Sequence, residues 1–289
     1  MKNLLELTKE LIRFKSMLSR PDEITRCVDF IERFLKDMGA SCKRIECDGV
    51  PSIAALPGPD FAPVLLMSHI DVVDAPDELF EPVEKGGKLY GRGSFDDKYA
   101  AALSMILFRE HLLKARKEGR TQEALPLGIL ITGDEEAGGF KGAKEALKTI
   151  RTDFCIALDG GNVHKIVTKE KGVLRLKLIS RGKAAHGSRP WLGENAIEKL
   201  FEDYQIIKTF FRDEAPEHWN KTINFSMIRA GKSENQVPDI AEAVFDIRFT
   251  ENDDVDELVK QMRKKINGEL SVELKEPLFL GGKSAYLDL

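Results

Sequence analysis

The sequence of 289 residues lacks several features that would assign it to other classes of protein. No apolar stretch approaches the ~20 residues that a membrane-spanning helix needs, and the charged N-terminal segment is unlike a signal peptide. The net charge of −4 offers no basic face for nucleic acid. We therefore expect neither a membrane nor a nucleic-acid partner. The four cysteines include no Cys-x-x-Cys pair, so we expect free thiols and a cytoplasmic location.

The remaining composition, with 42% apolar and 32% charged residues, is that of an ordinary globular protein. Apolar residues from Leu4 to Leu18 and from Ile24 to Met38 recur at helical spacing, and Gly39 ends the second pattern. Short apolar runs, typical of buried strands, alternate with further helical patterns as far as Asp159. This alternation predicts an α/β fold with a mostly parallel sheet flanked by helices.

The pattern changes after Gly172, where strand-like and helix-like segments follow in the order βαββαβ. This order is a self-contained two-layer unit, which predicts a second domain. We therefore expect a first domain over residues 1–172, a second over 173–276, and a short further segment over 277–289.

Two short motifs carry most of the chemical information, Ser68-His69-Ile70-Asp71 and Gly133-Asp134-Glu135-Glu136. Each directly follows a predicted buried strand, and the carboxyl ends of parallel strands meet at one edge of a sheet. Asp71 lies on the same strand face as His69 and can orient its imidazole ring. A histidine beside several carboxylates is typical of a metal site with a spare carboxylate for acid–base work, which favours hydrolysis.

Other carboxylates allow both a structural and a functional interpretation. Asp96 and Asp97 follow a loop with two glycines, where they could hold a metal or cap the next helix. Asp159 also ends a predicted buried strand. The acidic run 134–136 could be a solvated turn, but crowded like charges next to a buried strand are costly without a cation. Together these segments favour a metal site.

In this order, Ser-His-Ile-Asp, Gly-Arg-Gly-Ser-Phe-Asp-Asp-Lys, Gly-Asp-Glu-Glu and the strand ending at Asp159 resemble the M20 metallopeptidase family. That family includes acetylornithine deacetylase, succinyl-diaminopimelate desuccinylase, aminoacylase-1 and glutamate carboxypeptidases. The resemblance implies a zinc-peptidase-like fold with an inserted lid domain, through which the chain forms a homodimer. It also implies a site for two Zn²⁺ ions, with Co²⁺ or Mn²⁺ as alternatives.

The resemblance also implies a role for each site residue. His69 and Asp159 would hold one metal, Asp96 would bridge both metals, and Glu136 would bind the second. Glu135 would be the general acid–base, with Asp71 orienting His69. The peptide bond between Asp96 and Asp97 would be cis.

In the predicted lid, His186 lies in a segment similar to the start of the family's lid domain. The resemblance implies that it polarises the scissile carbonyl in the neighbouring subunit, whereas the residues alone indicate a loop histidine beside a helix. Asn235 and Arg248 match positions that hold the substrate carboxylate, for which the bidentate fork of arginine is suited. A salt bridge within the lid sheet is the alternative for Arg248.

The expected function is zinc-dependent hydrolysis of the amide bond in a small N-acyl amino acid or short peptide with a free carboxylate. The family's second metal takes one more histidine from the segment after the lid, whereas the last histidine here is His218. Either the chain is part of a longer protein or the site lacks this ligand. We therefore expect a strong first metal site and a weak second one. The alternative is a catalytically impaired relative that binds metal or peptide.

Overall fold

The computed structural model describes residues 3–160, 164–211, 218–282 and 284–286. The chain forms two compact units, of which the first extends to Ile166 and the second begins at Val167. Throughout the described ranges, every helix is too short or too polar to cross a membrane.

The first unit consists of a sheet with helices packed against it. Its helices are α1 (Leu4–Arg13), α2 (Pro21–Asp37), α3 (Lys98–Lys117) and α4 (Ala143–Ala146). Its strands are β1 (Lys43–Cys47), β2 (Val50–Ala55), β3 (Phe61–His69), β4 (Val83–Lys85), β5 (Lys88–Tyr90), β6 (Leu127–Thr132) and β7 (Arg151–Ala157).

The main sheet of this unit has the strand order β1-β2-β6-β3-β7. Strand β3 pairs in parallel with β6 and β7, whereas β2 is antiparallel to both β1 and β6. Four strands therefore run in one direction, and β2 makes the sheet mixed. The cause is a tight hairpin between β1 and β2, where Asp48 and Gly49 both have positive φ, at 47° and 77°.

The N-terminal helix is shorter than its apolar periodicity indicates. The spacing from Leu4 predicts a helix as far as Leu18, but α1 ends at Arg13. Beyond it, the Ser16 hydroxyl donates to the Ile70 carbonyl at 2.5 Å, and the Val72 N–H donates to the Ser16 carbonyl at 3.0 Å. These bonds to the end of β3 require an extended backbone, so they replace the last turn of the predicted helix.

The second unit confirms the predicted βαββαβ order from β9 to β12. Its elements are β8 (Lys169–Glu170), β9 (Gly172–Arg181), α5 (Ala196–Lys208), β10 (Thr222–Ala230), β11 (Ile240–Phe249), α6 (Val255–Lys265), β12 (Glu269–Glu276) and β13 (Phe279–Leu280). The four long strands form an antiparallel sheet in the order β10-β11-β9-β12. Buried residues of α5, α6 and this sheet form one core, for example Leu200, Met262 and Phe245.

Candidate metal centre

Three neighbouring strands bring the predicted site residues to one edge of the first unit's sheet. His69 ends β3, Glu135 follows β6, and Asp159 follows β7, with β3 lying between the other two strands. All three strands are parallel, so their carboxyl ends coincide, as the sequence predicts. The Leu158 N–H donates to the Met67 carbonyl at 2.8 Å, which holds the chain before Asp159 against the end of β3.

The side chains of His69, Asp96 and Asp159 form a cluster that could hold a metal ion. One potential ligand atom from each residue lies within 4.8 Å of the others. Within the described ranges, Nε2 of the buried His69 makes no hydrogen bond of regular geometry. It lies 3.0 Å from Oδ1 of Asp96 and 3.9 Å from Oδ2 of Asp159. Imidazole nitrogen and carboxylate oxygen are the ligands that Zn²⁺ takes in catalytic sites. The donor set therefore fits a divalent cation.

The loop before α3 places Asp96 in this cluster. The Asp96–Asp97 peptide is cis, as the resemblance implied. Oδ2 of Asp97 accepts the His69 N–H at 3.2 Å, which ties the loop to the end of β3. Burial raises the pKa of Asp97 to about 7, and the charges of Asp159 and Asp96 add to this effect while His69 opposes it.

The protonation of His69 bears directly on metal binding. Burial lowers its pKa, but the hydrogen bond and charge of Asp71, with the charges of Asp97 and Glu135, outweigh burial and raise the pKa to about 9. The metal-free imidazole is therefore protonated at neutral pH. A cation that binds at Nε2 has to displace this proton, so binding and proton release are coupled.

Asp71 has a wider role than the orientation of His69. Nδ1 of His69 lies 3.0 Å from the main-chain carbonyl of Asp71 and 3.4 Å from its carboxylate oxygen Oδ1. The carboxylate also accepts the N–H groups of Glu135 at 3.1 Å and of Glu136 at 2.9 Å. Asp71 thus holds the ring of His69 and the turn that carries both glutamates, and the second contact was not predicted.

Replacing Asp71 with asparagine is expected to weaken both supports. The amide NH₂ group would face a backbone N–H of the glutamate turn, and Asp71 is fully buried. A buried donor without a partner costs about 1–3 kcal/mol, so we expect a melting temperature lower by several degrees and weaker metal binding. Thermal unfolding and metal titration would measure these effects.

Asp74→Asn is the matched control, because Asp74 is exposed and its carboxylate accepts the hydroxyl of Ser19, away from the glutamate turn. Its melting temperature and metal affinity should equal those of the wild type. An Asp71→Asn protein that behaves in the same way would contradict the role given to the carboxylate.

Glu135 and Glu136 lie in the short 3₁₀ turn Glu135–Ala137 after β6. Oε2 of Glu135 is 3.8 Å from Nε2 of His69, and this side chain is half exposed. Burial raises the pKa of Glu135, and nearby carboxylates add to the increase, led by Asp159. The pKa of Glu136 is raised by burial and then by the charge of Asp96. A carboxylate whose pKa lies above its usual range is suited to general acid–base work.

The first acid of the same motif has a structural role. Asp134 is buried, and its carboxylate accepts the N–H groups of Lys141 at 2.7 Å and Gly142 at 2.9 Å. It therefore closes the loop after the glutamate turn. The only sequence signal for this role is the position of Asp134 two residues after the end of β6, before the two glutamates.

In the second unit, His186 and Asn235 lie on adjacent backbone segments. The Gly187 N–H donates to the Asn235 carbonyl at 2.7 Å, next to a bridge between His186 and Gln236. Nδ1 of His186 accepts the Ser188 N–H at 3.2 Å. The neutral imidazole therefore carries its proton on Nε2, which can donate a hydrogen bond.

Arg248 adopts the alternative arrangement that the sequence left open. Its Nε donates to Oδ1 of Asp246 at 2.7 Å, within strand β11. The two residues are separated by one position and so share a face of the strand. Arg248 is exposed, so its guanidinium can exchange this partner for another carboxylate.

The chain is similar to known proteins over nearly its full length. A family model described as a peptidase dimerisation domain of the M20 family matches residues 168–272. Succinyl-diaminopimelate desuccinylase from Coxiella burnetii is 27% identical over 284 residues, which cover 92% of this chain and 74% of the relative.

Solved structures with the same fold include a metallo-carboxypeptidase of the M20 family from Sulfolobus solfataricus and a tripeptidase from Staphylococcus aureus. The carboxypeptidase aligns with a TM-score of 0.71 at 20% identity, over 96% of this chain and 79% of its own. The tripeptidase aligns with a TM-score of 0.75 at 19% identity, over 99% of this chain and 79% of its own.

The fold, the metal cluster and these similarities together define a metal-dependent hydrolase. More specifically, the match of the second unit to the M20 dimerisation domain, the desuccinylase relative and the shared fold support a peptidase or deacylase of the M20 type. This result confirms the family resemblance and the enzyme class that the sequence motifs indicated.

Proposed function

We propose that this protein is a zinc-dependent hydrolase that cleaves the amide bond of a small N-acyl amino acid or a short peptide with a free carboxylate. The observation that carries the proposal is the cluster in which the buried Nε2 of His69 faces the carboxylates of Asp96 and Asp159. The similarity to a desuccinylase favours an N-acyl amino acid. The similarity in fold to a tripeptidase keeps short peptides as the second substrate class.

A zinc ion held by His69, Asp96 and Asp159 would polarise the substrate carbonyl and lower the pKa of water. Glu135 then accepts a proton from the attacking water and returns it to the leaving amine. Its raised pKa supports this role, because the carboxyl group can hold the proton between the two steps. Its half-exposed side chain is accessible to a substrate.

Asp96 and Glu136 are proposed to form the second, weaker metal site. The charge of Asp96 contributes to the raised pKa of Glu136, so the two carboxylates repel each other. A shared cation relieves this repulsion. Co²⁺ or Mn²⁺ could replace Zn²⁺ at either site, since the ligands are nitrogen and oxygen.

The second unit is proposed to form a homodimer and to complete the active site. The match to a dimerisation domain supports the dimer. His186 of the partner subunit would donate its Nε2 hydrogen to the oxyanion that develops on the substrate carbonyl. Asn235 and Arg248 would hold the substrate carboxylate, with Arg248 released from Asp246. The free thiols, including the buried Cys27, support a cytoplasmic location.

Metal removal tests this proposal directly. The purified protein should contain zinc by elemental analysis, and it should hydrolyse one of two panels of substrates. A chelator should abolish this hydrolysis, and added Zn²⁺ should restore it. N-acyl amino acids, with N-succinyl amino acids among them, form one panel, and dipeptides and tripeptides form the other. Turnover that survives complete removal of the metal, or a metal-containing protein that turns over neither panel, would contradict the proposal.

A further inference from the structure

Residues 14–17, which leave the predicted helical path after α1, form a connector between the two segments that carry the metal cluster. They contact both segments that carry predicted metal ligands, the end of β3 and the loop before α3. On the first side, the Ser16 hydroxyl donates to the Ile70 carbonyl at 2.5 Å. The Val72 N–H donates a hydrogen bond to the Ser16 carbonyl at 3.0 Å. Because Ser16 is fully buried, water cannot replace its contact.

On the second side, Lys98 joins the connector to the loop that carries Asp96. Lys98 is fully buried, and its Nζ donates to the Phe14 carbonyl at 2.5 Å. The ring of Phe80 lies 5.5 Å from the same nitrogen, which stabilises the buried ammonium group. Burying an ammonium group is costly unless it is well paired, so a fully buried lysine needs a specific reason.

The loop is built around the lysine side chain. The Lys98 N–H donates to the Gly93 carbonyl at 3.0 Å, which closes the loop at its base. Gly93 has a φ of +85°, and a Cβ at this position would lie 2.7 Å from Cδ of Lys98. The stem of Lys98 therefore occupies the space that a side chain at Gly93 would need. Movement of Lys98 would move the loop, and Asp96 with it.

We propose that Lys98 and Ser16 are positioning residues that fix the two ligand-bearing segments to the common connector 14–17. Lys98 sets the position of Asp96, and Ser16 sets the position of the backbone directly after His69. Neither residue touches a ligand atom of the cluster. The inference rests on the proposed metal site. Beside the direct bond from the His69 N–H to Asp97, it adds a second support for the spacing between the ligand at the end of β3 and the ligand in the loop before α3.

Titration of Co²⁺ into the metal-free full-length protein tests this inference, with Lys98→Met, Ser16→Ala and the double variant. Partners outside the ligand shell typically contribute roughly 10–100-fold to metal affinity, so each single variant should raise the Kd for Co²⁺ about tenfold or more. The visible absorption spectrum of bound Co²⁺ should also change, because it reports ligand geometry. Since both residues act through one connector, the double variant should weaken binding by less than the product of the single effects.

Lys171→Met is the matched control, because the Lys171 Nζ also donates to main-chain carbonyls, those of His218 and Asn220, but in the second unit. Its Kd and spectrum should equal those of the wild type.

A folded Lys98→Met protein with the wild-type Kd and spectrum would overturn the inference, as would strictly additive effects in the double variant. If Lys98→Met does not fold, Ser16→Ala decides by the same criteria. A wild-type protein that binds no Co²⁺ overturns both this inference and the proposed function, whereas tight binding by all variants overturns the inference alone.

Discussion

Replacing Glu135 with glutamine is expected to lower kcat for amide hydrolysis by about 10²–10⁴-fold, the range that general acid–base catalysis supplies. Glutamine has almost the same size, but its amide cannot accept and return a proton. Glu135 lies outside the cluster formed by His69, Asp96 and Asp159, so the first metal should remain bound. Its main-chain N–H should also keep its bond to Asp71. Parallel measurement of kcat and of zinc per chain would separate lost chemistry from lost metal.

Glu145→Gln provides a matched control within the same unit. Glu145 lies in α4 and pairs with Lys148 on the surface, so its loss should leave kcat and metal content unchanged. A Glu135→Gln protein that keeps full turnover with its metal bound would contradict the assignment of the general base. A Glu135→Gln protein without metal would instead place Glu135 among the ligands.

The convergence of His69, Glu135 and Asp159 could be predicted because it depends on topology alone. Each residue follows a short apolar run, and parallel strands bring such positions to one edge of the sheet. The predicted sheet was mostly parallel, and β3, β6 and β7 are parallel in the structure. The antiparallel β2 does not disturb the site, because its carboxyl end lies at the opposite edge.

The supporting contacts could not be predicted, because their partners are main-chain groups. In the sequence, Asp71 and Asp134 are simply aspartates near strand ends. In the structure, one holds the glutamate turn and the other holds the loop that follows it. Apolar periodicity carries no information about which backbone N–H lies opposite a carboxylate. For the same reason, the spacing from Leu4 to Leu18 did not reveal that Ser16 bonds to Ile70.

In the second unit, too, the long elements could be predicted from their periodicity, whereas the pairing of the shortest strands could not. Alternating and helical patterns define βαββαβ, because each long element carries enough residues for its period to be visible. Strands β8 and β13 have two residues each, so they carry no period, yet they pair with each other. A salt bridge of Arg248 within the sheet was one of the two alternatives predicted from the sequence. The structure has it with Asp246, because residues separated by one position share a strand face.

Replacing His69 with alanine is expected to remove the metal from the first site, and turnover with it. His69 supplies the nitrogen ligand of the cluster, and its buried Nε2 faces the carboxylates of Asp96 and Asp159. Loss of a direct ligand should exceed the roughly 10–100-fold effect on affinity that loss of an outer partner causes. Alanine also leaves the Asp96 and Asp159 carboxylates close together without a counter-charge, which favours protonation of one of them over metal binding.

Elemental analysis and Co²⁺ titration of the folded His69→Ala protein would measure this effect, with circular dichroism as the check on folding. His111→Ala is the matched control, because His111 lies in α3 of the same unit and belongs to none of the predicted motifs. It should keep the wild-type metal content and turnover. If His69→Ala retained wild-type zinc and activity, the metal would have to be bound elsewhere, because the two remaining carboxylates supply no nitrogen ligand. Complete loss of metal in His69→Ala, together with only weakened metal binding in Lys98→Met, would identify His69 as a ligand and Lys98 as a positioning residue.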